Sequence, residues 1–228
     1  VTDTSNRKSK YPTLPVYDGD KKVDSIRTLQ EQARLTVTLT QKAEAFIASH
    51  KQKPFFLYLA HPMPHVPLAA SPAFAGKTGA GLFADVISEI DWSIGRIMNV
   101  LDKTGLSKNT LIIVTSDNGP WLTFGNHAGS SGGLREGKGT AWDGGTRVPC
   151  FVRWPGKVEA GTVSSQLLTN MDILPTIIAA AGAALPKEKI DGLNFLPLLT
   201  GKTKQSPREL FYVYYDANNL KLIRYKHW

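Results

Sequence analysis

Apolar positions along the chain follow two spacings. From Leu82 to Lys103, Phe83, Val86, Ile87, Ile90, Ile94, Ile97 and Leu101 return every three or four residues and Gly105 follows. That spacing predicts a long helix, closed by the glycine, whose stripe packs on a sheet. A shorter helix is expected over 39–49, with Leu39, Ala43, Phe46 and Ile47 on one face and Thr38 with Gln41 as a capping box. "MDILPTIIAAAG" predicts a third, with Asp172 as N-cap, Pro175 in the first turn and Gly182 past the end. Between the helices lie continuous apolar runs, "PFFLYLA" (Pro54–Ala60), "TLIIVTS" (Thr110–Ser116) and "RVPCFVRW" (Arg147–Trp154), which read as buried strands, with Pro149 marking an edge or an irregular start. Strands alternating with helices predict an α/β fold, a mostly parallel sheet flanked by helices. In "RELFYVYYDANNLKLIRYKHW" two β-rich runs flank "DANN", as in a hairpin opening a small antiparallel sheet. That run stops at Trp228 without a closing element, so the chain is expected to be cut there. Residues 1–27 are polar, with Pro12 and Pro15, and are expected to lie extended on a surface.

Composition narrows this picture. At 228 residues and 42% hydrophobic, the chain can bury a sizeable core. No apolar run approaches the roughly 20 residues that cross a bilayer, and the first residues lack the apolar stretch of a secretory signal, so no membrane partner is expected and any such signal lies outside the chain. The net charge of +8 is spread along the chain, which suits a solvated surface and an anionic small partner better than nucleic acid. A single cysteine, Cys150, excludes an internal disulfide; set in an apolar run, it reads as a small buried hydrophobe rather than a nucleophile.

The candidate chemistry lies in loops after the expected strands, where open α/β sheets gather ligands. Asp117 and Asn118 in "SDNGPW" offer the oxygen donors that calcium or magnesium prefers, and they equally fit an Asx turn. His61 and His65 share a loop stiffened by Pro62, Pro64 and Pro67, which suits an imidazole hydrogen-bonded to a leaving oxygen or one satisfied by a neighbouring carbonyl. Lys138, between Gly137 and Gly139, can reach a tetrahedral oxyanion or sit solvated on a mobile loop.

Taken in order, "PFFLYLAHPMPHVP", "TLIIVTSDNGP", "LREGKGTAWDGGTRVPCFVRWPG", "MDILPTIIAAAG" and "IDGLNFLPLLTG" resemble the sulfatase family, of arylsulfatase and N-acetylgalactosamine-6-sulfatase type, within the alkaline-phosphatase-like superfamily. The resemblance runs from about Lys53 to the C-terminus and implies sulfate-ester hydrolysis. It makes Asp117 and Asn118 half of a Ca2+ site, His65 the histidine that assists the leaving group, and Lys138 the lysine that contacts the sulfate. His127 and Arg135 lie in the neighbouring loop and are weaker substrate contacts. It divides the chain into the C-terminal portion of a large α/β domain (1–205) and the beginning of a small C-terminal β subdomain (206–228). It also implies a sulfated small molecule or glycan as substrate, and a periplasmic, secreted or lysosomal location.

The family's nucleophile, a formylglycine made in a C/S-x-P/A-x-R sequence, has no match. Cys150 is followed by "FVRW", with valine in place of proline or alanine and arginine one place early. The nucleophile and further calcium ligands are therefore expected on a missing N-terminal portion of the same protein, and this chain alone is expected to be inactive. Two other readings stay open, a phosphoesterase of the same superfamily and a non-catalytic module that binds sulfated polysaccharide.

Overall fold

The computed structural model describes residues 13–226; the first part of the segment expected to lie extended, and the chain's last two residues, fall outside them. The described residues form two compact units, the chain up to Ser107 with Trp121–Ser130, and Lys108–Pro120 with the chain from Ser131 onward.

In the first unit, Leu14–Asp18 (β1) and Lys21–Ile26 (β2) pair antiparallel where an extended segment is expected, and Gly19 takes the φ of 59° that so tight a turn demands. A reciprocal cap between Thr28 and Glu31 opens the single turn Leu29–Gln32 (α1). The next helix, Leu35–Ser49 (α2), starts before Thr38, so the capping box expected there does not form. Leu82–Lys103 (α3) matches its expected span. Gly105, at φ 74°, lets Leu106 N–H reach Leu101 O (2.8 Å) and its own N–H reach Asp102 O (3.1 Å).

Helices α2 and α3 pack together, and Arg96 spans them with a bidentate pair to Glu44 at 2.7 and 2.8 Å. The buried positions of α3 are mostly polar, Asp85, Glu89 and Ser93 beside Val86 and Leu101, while Ile87 stays 42% exposed. Within the first unit this helix packs on α2 and on a loop, and the core joins Val86 to Met63 and Leu68 of that loop. Residues 54–60 alternate in burial with the period of a strand but have no ladder partner among the described residues. Phe56 and Tyr58 are 69% and 81% exposed.

In the second unit, Ile112–Thr115 (β3) pairs antiparallel with Cys150–Arg153 (β4), Ile112 opposite Arg153. All three strand pairs of the described residues are antiparallel, where alternation predicts parallel ones. A parallel pair needs a crossover, and between β3 and β4 the only α-helix is the single turn Asp143–Thr146 (α4). Cys150, expected to be buried, is exposed.

Asp172 precedes Ile173–Ala180 (α5) as expected, yet its carboxylate does not cap that helix. Fully buried, it accepts from Thr169 N–H (2.8 Å), Leu193 N–H (2.7 Å) and the Arg208 guanidinium (2.6 and 2.9 Å). After the one-turn helix Leu196–Leu199 (α6), Leu210–Tyr215 (β5) and Asn219–Tyr225 (β6) form the expected hairpin, with Asp216, Ala217 and Asn218 all left-handed at its tip. Among the described residues, no helix is long and apolar enough to cross a membrane.

Candidate active site

The loop carrying His65 belongs to the first unit. Met63 and Leu68 are 5% and 3% exposed, so the core grips it on both sides of the histidine, and Met63–Pro64 and Val66–Pro67 are cis. His65 itself is exposed. Its Nδ1 lies 2.7 Å from Val66 O, and since a carbonyl only accepts, Nδ1 carries the hydrogen and Nε2 faces outward. The ring meets Trp121 edge-on at 5.9 Å, and Trp121 meets Phe124 at 4.8 Å. Trp121 stands directly after "DNGP", with no motif of its own to mark it. His127 ends the 3-10 stretch Leu122–His127 in the same unit, exposed to solvent.

The second unit holds Asp117, Asn118, Arg135 and Lys138. Asp117 leaves the end of β3 exposed, and its carboxylate has no hydrogen bond or ion pair among the described residues. Asn118 donates through Nδ2 to Gly119 O (2.9 Å), which commits the amide nitrogen to the turn and leaves the lone pairs of Oδ1 to accept or to ligate. Both features suit a hard cation. Two oxygens are only part of a calcium shell, and no cluster of three metal-binding His, Cys, Asp or Glu residues occurs among the described residues.

Main-chain bonds tie the lysine loop to this turn. Lys138 N–H donates to Pro120 O (2.8 Å), Gly119 N–H to Gly145 O (3.0 Å), and Gly144 N–H to Arg135 O (2.8 Å). The Arg135 guanidinium stacks on Trp142 at 3.7 Å. A cleft of about 310 Å³ opens beside the loop, lined by Gly139, Thr140, Trp142, Tyr215, Lys221 and Leu222.

The glycines are what let these strands of backbone meet. A Cβ on Gly144 would strike the Glu136 carbonyl and come within 2.5 Å of Arg135 O; one on Gly119 would strike Gly144 O. Main chain cannot swing aside as a side chain does. Gly144→Ala is therefore expected to cost at least about 2 kcal/mol in stability, read as a lowered urea midpoint with unchanged m-value. The repeated glycine in "DGG" was the sequence signal for this close approach.

The Sulfatase family model matches residues 2–183, and the chain belongs to that family. It is 41% identical to human steryl-sulfatase over 189 residues (80% of this chain, 32% of that protein). It is 39% identical to mouse N-acetylgalactosamine-6-sulfatase over 222 residues (93% and 42%). Among solved structures, the PsFucS1 sulfatase from Pseudoalteromonas sp. superposes with a TM-score of 0.84 at 28% identity, over 91% of this chain and 42% of that one. The α/β fold is thus the alkaline-phosphatase-like fold of the sulfatases, and the chain spans about a third to two-fifths of these relatives.

Proposed function

We propose that the protein containing this chain hydrolyses sulfate esters of aryl or sugar alcohols. The observation that carries this reading is the main-chain stitching that holds the Lys138 loop against the Asp117–Asn118 turn, in a chain of the sulfatase family.

Asp117 and Asn118 would hold calcium, completed by ligands from elsewhere in the protein, and the ion would place positive charge beside the sulfo oxygens. A formylglycine on the N-terminal portion would supply the nucleophilic oxygen. Lys138 neutralises charge on the sulfuryl oxygens, and Arg135 and His127 contact the substrate. His65 delivers a proton to the departing alcohol from Nε2 as the imidazolium, Nε2 having first taken that proton from solvent, while its Nδ1–H stays committed to Val66 O. The cleft beside Lys138 takes the alcohol, against the Trp142 and Tyr215 rings and the Lys221 ammonium. The remaining length of the protein covers Phe56, Tyr58 and Phe151, the last 68% exposed. The division at 205/206 and a periplasmic, secreted or lysosomal location belong to the same reading.

The test is sulfate release by the full-length protein from aryl sulfates and sulfated sugars. Turnover should vanish with EGTA and return with calcium, and the 228-residue chain alone should show none. Faster release of phosphate from an aryl phosphate would favour a phosphoesterase. Salt-sensitive polysaccharide binding without turnover, undiminished in Lys138→Ala and His65→Ala, would favour a binding module.

A further inference from the structure

Three hydroxyl and imidazole groups form a chain beneath the His65 loop, and its proton directions can be deduced one after another. Thr40 Oγ1 lies 2.6 Å from the Thr36 carbonyl, which only accepts, so the single hydroxyl proton of Thr40 is spent there. Ser93 Oγ lies 2.6 Å from Thr40 Oγ1, and with no proton left on Thr40 the serine must donate. His61 Nε2 lies 3.1 Å from Ser93 Oγ. The serine proton is now spent as well, so Nε2 carries the hydrogen and donates. His61 Nδ1 is left as a bare lone pair, buried and without a partner among the described residues. Thr40 and Ser93 are fully buried, so water cannot stand in for either partner. Burial also holds the His61 pKa below its ordinary 6.5, which keeps the ring neutral at pH 7.

The two imidazoles of one loop thus hold opposite tautomers. His65 keeps its hydrogen on Nδ1 and faces outward, whereas His61 keeps it on Nε2 and faces the interface of α2 and α3. Anchored at His61, Met63 and Leu68, the segment between has three inward attachments, and His65 projects from it. We infer that His61 is a positioning residue, which through Ser93 and Thr40 fixes the loop that presents His65 to the leaving oxygen. The inference rests on the role proposed above for His65, and its test separates the two.

The first measurement needs no activity. Imidazole 15N spectra of the labelled full-length protein at neutral pH should show His61 as the Nε2–H tautomer. Thr40→Val removes the hydroxyl that takes the serine proton; Ser93 is then free to donate to Nε2, and His61 should shift toward the Nδ1–H form. An Nδ1–H or doubly protonated His61 in the wild type, or a tautomer unmoved by Thr40→Val, overturns the inference whether or not the protein is a sulfatase. The second measurement is kinetic. His61→Leu should lower kcat on a sulfated sugar about tenfold with little change in KM, since small misplacements of a catalytic group are costly. His61→Gln, whose amide can donate to Ser93, should recover most of it. Loss of thermal stability in His61→Leu with kcat unchanged, or equal losses in both variants, would make His61 merely structural. Absence of turnover in the wild type would count against the proposed function instead, leaving the spectra to decide the tautomer.

Discussion

Arg208→Ala should be the most damaging single truncation in the second unit, lowering unfolding free energy by about 3–5 kcal/mol, the usual cost of stranding a buried charge. Asp172 is fully buried and the Arg208 side chain is 10% exposed, so water cannot replace the guanidinium. The same arginine also donates to Asp191 O at 2.8 Å, and its loss frees the segment that leads into β5. Denaturant unfolding of Arg208→Ala beside Arg208→Lys checks this, because an ammonium cannot make the bidentate contact and should restore only part of the loss. An unfolding free energy within about 0.5 kcal/mol of wild type would show that the pair contributes little. Acid should reproduce the effect. Burial pushes the Asp172 pKa up, but Arg208 and the Leu193 and Thr169 donors outweigh it and hold it below 3.8. The unfolded chain therefore takes up this proton first, so the stabilisation is complete above about pH 4 and disappears as pH falls through the lowered value.

In the full-length protein, Lys138→Ala should lower kcat about 10²–10³-fold, the typical cost of removing one preorganised contact to a developing oxyanion. His65→Ala should cost about 10²–10⁴-fold, the range for a positioned acid or base. The alcohol distinguishes them. A nitrophenol leaves without help, so the His65→Ala deficit should shrink on nitrophenyl sulfate relative to a sugar sulfate, while the Lys138→Ala deficit should stay the same on both. Equal deficits on both esters in His65→Ala would remove the histidine from the proton step. Neither substitution opens a core cavity, since His65 is exposed and Lys138 only half-buried, so unfolding midpoints should stay near wild type.

Local spacing carried much of the fold. Both ends of α3 were legible because the apolar period and Gly105 are contained within the helix and its cap, and the hairpin of β5 and β6 was legible from its turn residues. What failed depended on partners distant in the chain. Residues 54–60 have the composition of a strand, but a ladder needs a second backbone. Thr36, Thr40 and Ser93 carry no apolar spacing that marks them as interior, yet they are buried, with the Thr36 carbonyl accepting from the Thr40 hydroxyl and Thr40 Oγ1 accepting from Ser93. The pairing of Asp172 with Arg208 spans 36 residues with no pattern between them. Of the site, the chemical groups were recognisable through the family resemblance, whereas the glycine-threaded backbone that seats Lys138 became visible only in three dimensions.

That threaded backbone has an evolutionary consequence. Lys138 takes its place from main-chain atoms of Pro120, and its loop from the main-chain bond between Arg135 and Gly144, so side chains at Leu134, Glu136 and Ala141 do not set the anchor. Substitution there can resculpt the surroundings of the ammonium while its seat stays put. One scaffold can thereby drift among differently shaped esters, provided the glycines themselves stay bare.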